Sequence, residues 1–142
     1  MDPETNKAII RRLYDGLFNG GDLAVAGDLL DPDYVGHDPP DSPAPLRGPA
    51  AMAEGARRLR AAFPDCRFVV EELIAEGDAV AARVALTGTH AGPLGTLAPT
   101  GRRVAVTGTV TYRLSAGRIV ASWGNWDNLG LLRQLGLLPP GL

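Results

Sequence analysis

The chain has 142 residues, one cysteine (Cys66) and a net charge of −2 from 14 basic and 16 acidic side chains. A lone cysteine excludes an internal disulfide, and charges this evenly mixed give no basic footprint for nucleic acid. The opening Met1-Asp-Pro-Glu-Thr lacks the apolar core of a signal peptide, and no apolar run is long enough to cross a membrane. The expectation is one cytoplasmic domain over residues 1–142, with no nucleic-acid and no membrane partner and a core that needs no staple.

Apolar spacing predicts helix 1 over Pro3–Asn19, with Ile9, Ile10, Leu13, Leu17 and Phe18 on one stripe and Tyr14 beside it. Asn19-Gly-Gly ends it, and Asp22 is a helix-start residue for helix 2, which carries Leu23, Ala26, Leu29 and Leu30. Asp31-Pro-Asp stops that helix, and Tyr34 and Val35 form a short extended piece. The stretch from Gly36 to Gly48 holds four prolines and is long for a plain connection, which suits a functional loop. Helix 3 starts at Pro49 and runs to about Phe63, with Met52, Ala56, Leu59 and Phe63 inward and Arg57, Arg58 and Arg60 as its wet side.

From Cys66 the period changes to two. Strands are predicted over Cys66–Ala75, Ala79–His90 and Arg102–Leu114, with a last strand from Ile119. The tight turn Glu76-Gly-Asp78 makes the first pair antiparallel. Val80, Ala82, Val84, Leu86, Gly88 and His90 share one face, as do Val104, Val106, Gly108, Val110, Tyr112 and Leu114. Gly88 and Gly108 inside long strands imply a sharp bend or a close approach. Three helices, about four long antiparallel strands and a terminal helix make an α+β domain.

Candidate site residues follow from phase and chemistry. In the last strand Ile119, Ala121, Trp123, Asn125 and Asp127 alternate onto one face. A carboxylate among Trp123, Trp126 and Leu129 loses water, which raises its pKa and suits a general acid or base. Asp127 is also placed to cap the helix that follows, and the two roles are compatible. Tyr14 is a core tyrosine or a pocket donor, His37 and Asp38 an acid–base pair or turn residues, and His90 a structural ring or a proton carrier. No metal-ligand spacing and no nucleotide-binding loop occurs, so no cofactor is expected.

Taken together, Tyr14 with Asn19-Gly-Gly-Asp-Leu23, Tyr34-Val-Gly-His-Asp-Pro-Pro40, Ala61-Ala-Phe-Pro-Asp65, Gly88-Thr-His-Ala-Gly92, Pro99-Thr-Gly-Arg102 and Trp123-Gly-Asn-Trp-Asp127 resemble the SnoaL-like polyketide cyclases of the NTF2-like superfamily. The resemblance implies a cone-shaped, curved antiparallel sheet wrapped around N-terminal helices and enclosing a deep apolar pocket. It implies cofactor-independent aldol cyclisation, with Asp127 at the position of the family's acid–base aspartate and Tyr14 at that of a pocket tyrosine. Related ketosteroid isomerases place an oxyanion-binding tyrosine and a catalytic aspartate near Tyr14 and Asp38. Two departures stand out: Ser122 occupies a position often acidic in the family, and Thr109, Val110 and Thr111 stand where some cyclases carry a histidine. A limonene-epoxide hydrolase reading is weaker, because Arg83 is followed two places on by Ala85 and not Asp.

The resulting expectation is an enzyme in which Asp127 removes a proton α to a carbonyl. Tyr14, His37 or His90 steadies the enolate, and Trp123, Asn125, Trp126, Asp38, Phe18 and Leu129 contact a small apolar or polyketide-like substrate. A non-catalytic binding module is the alternative. The leucines between Leu129 and Leu138 surround the terminal helix, which predicts a homo-oligomer, a dimer or a tetramer. The rival is a tail that folds over its own pocket mouth.

Overall fold

A computed structural model describes residues 1–40, 43–139 and 141; Asp41 and Ser42 of the proline-rich stretch, and Pro140 and Leu142, lie outside the described residues. The element order is α1 (Pro3–Arg12), a π-helical continuation (Leu13–Asn19), α2 (Ala24–Leu29), β1 (Leu30–His37), β2 (Leu46–Arg47), α3 (Pro49–Ala62), β3 (Arg67–Glu76), β4 (Ala79–Thr89), β5 (Arg103–Ser115), β6 (Arg118–Trp126) and α4 (Asn128–Gln134). The six strands make one sheet in the order β2-β1-β6-β5-β4-β3. The sheet is curved but unclosed, so the α+β class holds while the barrel is open at β2 and β3. Among the described residues no helix is long and apolar enough to cross a membrane.

Local chemistry accounts for most element ends. Asp2 caps α1 by accepting the Thr5 amide at 2.8 Å, with Pro3 in the first turn. The π turn brings Tyr14 and Phe18 onto one face, where their rings stack at 5.4 Å. Arg60, expected on the wet side of α3, is half-buried instead. Its guanidinium donates to the Phe18 and Asn19 carbonyls, both at 2.9 Å. Those are carbonyls that a helix end leaves unpaired. Asn19 ties the same end to β3: its Nδ2 donates to the Phe68 carbonyl at 2.8 Å and its Oδ1 accepts the Phe68 amide at 2.7 Å. Asn19→Ala strands two backbone groups, so urea unfolding should show a loss of about 1–3 kcal/mol.

The inner face of the sheet is the predicted one on β4 and β5. Val80, Ala82, Val84, Leu86 and His90 are buried, as are Val104, Val106, Val110, Tyr112 and Leu114. Two elements went unforeseen. β1 is a full strand that pairs parallel to β6, although Asp31-Pro-Asp reads as a break. Its register shifts between Leu30 and Val35, and that irregular stretch accommodates Pro32, which has no amide to donate. The second is a bulge in β6. Arg113 opposes Ala121 but Leu114 opposes Ile119, so Val120 is an extra residue. Gly88 and Gly108 mark close approaches: the Phe63 Cβ lies 3.1 Å from where a Gly88 side chain would begin, and the Trp126 indole fills that place at Gly108.

Candidate active site

A cavity of about 410 Å³ opens between the inner sheet face, the π turn and α3. Its walls are mostly apolar, with Phe18, Leu59, Phe68, Leu86, Val106 and Leu131 among them. The polar groups gather where the sheet faces the π turn. Tyr14 and Tyr112 share a hydroxyl–hydroxyl hydrogen bond of 2.6 Å, and Tyr34 and Ser122 share another of 2.6 Å. All four residues are buried.

Strand register puts these groups in order. Tyr112 opposes Ser122, Val110 opposes Gly124 and Gly108 opposes Trp126 on neighbouring strands. The first rung therefore carries the hydroxyls. On the second, Asp38 lies over Gly124, its Oδ2 2.8 Å from where a Gly124 Cβ would sit. On the third, Trp126 lies over Gly108. The glycines leave the room that a carboxylate and an indole occupy. Among the described residues, Asp38 is the one carboxylate lining this cavity.

Burial raises the Asp38 pKa above the ordinary carboxylate value of 3.8. The residue as a whole is exposed at the mouth, but its carboxylate meets the cavity wall, and that contact desolvates it. Burial likewise raises the Tyr14, Tyr34 and Tyr112 hydroxyls, with the nearby Asp38 carboxylate adding to each. These tyrosines stay protonated at neutral pH and are available as donors.

The placement corrects much of the sequence reading. Tyr14, Phe18, Asp38 and Trp126 line the cavity as expected. Asp127 does not: it is exposed and caps α4, accepting the Gly130 amide at 2.9 Å. Trp123 and Asn125 do not line the cavity either. The cause is the bulge at Val120, because one extra residue reverses the face of every side chain that follows. Ile119 points inward as expected, but beyond the bulge the inward set is Ser122, Gly124 and Trp126. His37 stacks on Trp123 at 5.5 Å, away from the cavity, with the Arg113 guanidinium 5.9 Å from the same indole. His90 is fully buried behind the wall. Its Nδ1 accepts the Thr100 amide at 3.2 Å, its ring lies 5.4 Å from Phe63, and its Nε2 has no partner. Leu129 is 53% exposed, whereas Leu131, two places on, lines the cavity.

Arg83 faces outward and pairs with Glu71 at 3.3 Å and Glu72 at 3.6 Å, so it is not among the described residues that line the cavity, where the epoxide hydrolase reading would need it. Sequence reasoning missed Tyr34, Tyr112 and Ser122. The signal for Tyr112 was available: a tyrosine in an inward-facing valine series needs a partner for its hydroxyl. The Ser122 signal was hidden by the bulge.

Comparison with known proteins identifies a family. The SnoaL-like polyketide cyclase family matches residues 8–135. The chain is 33% identical over 134 residues to the aklanonic acid methyl ester cyclase DnrD of Streptomyces peucetius, covering 90% of this chain and 88% of that one. It is 32% identical over 142 residues to the aklanonic acid methyl ester cyclase DauD of Streptomyces sp. strain C5, covering 96% and 83%. Among solved structures, TsrD from Streptomyces laurentii superposes with a TM-score of 0.87 at 28% identity, over 97% of this chain and 99% of that one. With a family match over nearly its whole length and its hydroxyls, carboxylate and indole ranged along one apolar cavity, this chain belongs to the SnoaL-like polyketide cyclase family.

Proposed function

We propose that this chain closes a carbon ring in a polyketide-like substrate by an intramolecular aldol step, with Asp38 moving the proton. The observation that carries the reading is the Asp38 carboxylate, set one rung from buried hydroxyl donors in an otherwise apolar cavity. Asp38 takes a proton from carbon α to a carbonyl, and the C–H electron pair moves onto the carbonyl oxygen. The Tyr14–Tyr112 pair donates to that oxygen as charge develops. The enolate carbon attacks a second carbonyl carbon of the same molecule, and the new alkoxide takes the proton back from Asp38. No atoms are lost, and the ionised Asp38 is restored. Apolar walls hold the flexible chain folded, which converts an improbable encounter into a favoured one.

Incubation with aklanonic acid methyl ester, the substrate in the relatives' names, tests this reading: chromatography should show conversion to a cyclised isomer. No conversion of that or any other polyketide ester would favour a binding module. The rate should also follow the carboxylate. Because burial raises Asp38, the base form is lost on acidification earlier than an ordinary carboxylate would be. A rate–pH profile should rise to a plateau with its midpoint above 3.8.

A dimer built on the outer sheet face is part of the same proposal. That face carries exposed Val69 and Ile74, with Trp123 partly covered. Light scattering should return twice the 14.9 kDa chain mass. In α4, Leu131 lines the cavity and Leu135 is buried, so part of the leucine surface is already covered within one chain.

A further inference from the structure

We propose that Tyr34 and Ser122 form a second oxygen-binding site beside the Tyr14–Tyr112 pair, and that the substrate presents a 1,3-dicarbonyl group that fills both at once. The inference rests on the reading of Asp38 as the proton acceptor.

A count of protons comes first. Each pair holds two hydroxyl hydrogens, and the bond within the pair uses one. Each pair therefore keeps one O–H to offer. One carbonyl oxygen would meet one pair and leave the other pair's hydrogen facing a cavity of mostly apolar wall. A buried donor without a partner is costly, so two oxygens suit this cavity better than one. The two sites adjoin, because Tyr112 and Ser122 are directly opposed on β5 and β6. The aim of Tyr34 is fixed as well. Its hydroxyl occupies the place that a side chain at Gly36 would fill.

The chemistry of the base points the same way. A carboxylate is a weak base, even one raised by burial, and proton transfer is efficient when donor and acceptor are matched. A carbon between two carbonyls is far more acidic than one beside a single carbonyl. When Asp38 takes that proton, the C–H electron pair spreads over two oxygens, one on each hydroxyl pair. The products of the step are a neutral carboxylic acid and a doubly held enolate.

Two ketones of the same carbon skeleton test the idea: benzoylacetone, with two carbonyls, and 4-phenyl-2-butanone, with one. Calorimetry on the full chain should show the dicarbonyl binding roughly tenfold tighter, the size of one well-made hydrogen bond. Losing one hydroxyl of a pair leaves the other with its O–H still to offer, so the test removes both. Tyr34→Phe/Ser122→Ala should remove most of that advantage while leaving the mono-ketone's affinity in place. Tyr14→Phe/Tyr112→Phe should weaken both ligands. Tyr34→Leu/Ser122→Ala replaces the first double variant if that one fails to fold, as judged by circular dichroism. Equal binding of the two ketones, or an advantage that survives the loss of both second-site hydroxyls, overturns the proposal. If the mono-ketone still depends on the Tyr14–Tyr112 pair in that event, the Asp38 reading stands and only the second site falls. If neither ketone binds, or neither depends on that pair, both fall together.

Discussion

Asp38→Asn is expected to lower turnover about 10²- to 10⁴-fold, the range in which a positioned general base contributes. The amide keeps the shape of the side chain and removes its capacity to take a proton. The same substitution should raise stability at neutral pH. A carboxylate whose folded pKa lies above its unfolded value binds protons more readily when folded. Its stabilising contribution is complete below the unfolded pKa and is lost as pH rises through the folded one. At pH 7 the ionised Asp38 therefore opposes folding, and a neutral Asn does not. Urea unfolding of both proteins at pH 7 and at pH 4 should show the variant's advantage shrinking on acidification. Asp127→Ala is the matched control. It removes the cap that accepts the Gly130 amide and should cost about 0.5–2 kcal/mol, with turnover little changed. A loss of turnover in the Asp127 variant together with an active Asp38→Asn protein would reverse the assignment.

Phe63→Ala should cost about 3–5 kcal/mol, the range for deleting a buried aromatic ring. Phe63 is 1% exposed and closes α3 against β4, with Gly88 shaped to its Cβ and the His90 ring beside it. The Ala91 and Gly92 amides both donate to the Ala62 carbonyl next door, so the ring sits at the joint between α3 and the connection to β5. The unpartnered His90 Nε2 is expected to soften the loss. The space left by the ring has a polar wall there, and a water entering it would find a partner. The cost should therefore fall toward the lower end of the range, and Phe63→Leu should lose less than about 1.5 kcal/mol. Urea unfolding with an unchanged slope would show that the effect lies in the folded core. A loss below about 1 kcal/mol in Phe63→Ala would mean that the joint repacks more freely than its close contacts suggest.

The residues by themselves determined the α+β class, the three N-terminal helices and the inner faces of β4 and β5. Each of these is a local periodicity sustained over many residues, and a local pattern survives folding unless a neighbour overrides it. The sequence also marked Tyr14, Phe18, Asp38 and Trp126, whose chemistry is unusual wherever they fall. Only the tertiary structure decided which face of β6 looks into the cavity. That depends on the single extra residue at Val120, and a bulge is set by the pairing of two strands and not by either one alone. The shift by one residue turned Asp127, Asn125 and Trp123 away from the cavity and brought Ser122 and Gly124 in. The parallel pairing of β1 with β6 was equally illegible, because it joins segments about ninety residues apart, and pairing over such separations leaves no local signal. That pairing carries the chain from Tyr34 to Asp38 along β6, which is why the carboxylate in the cavity comes from a proline-rich turn and not from the last strand.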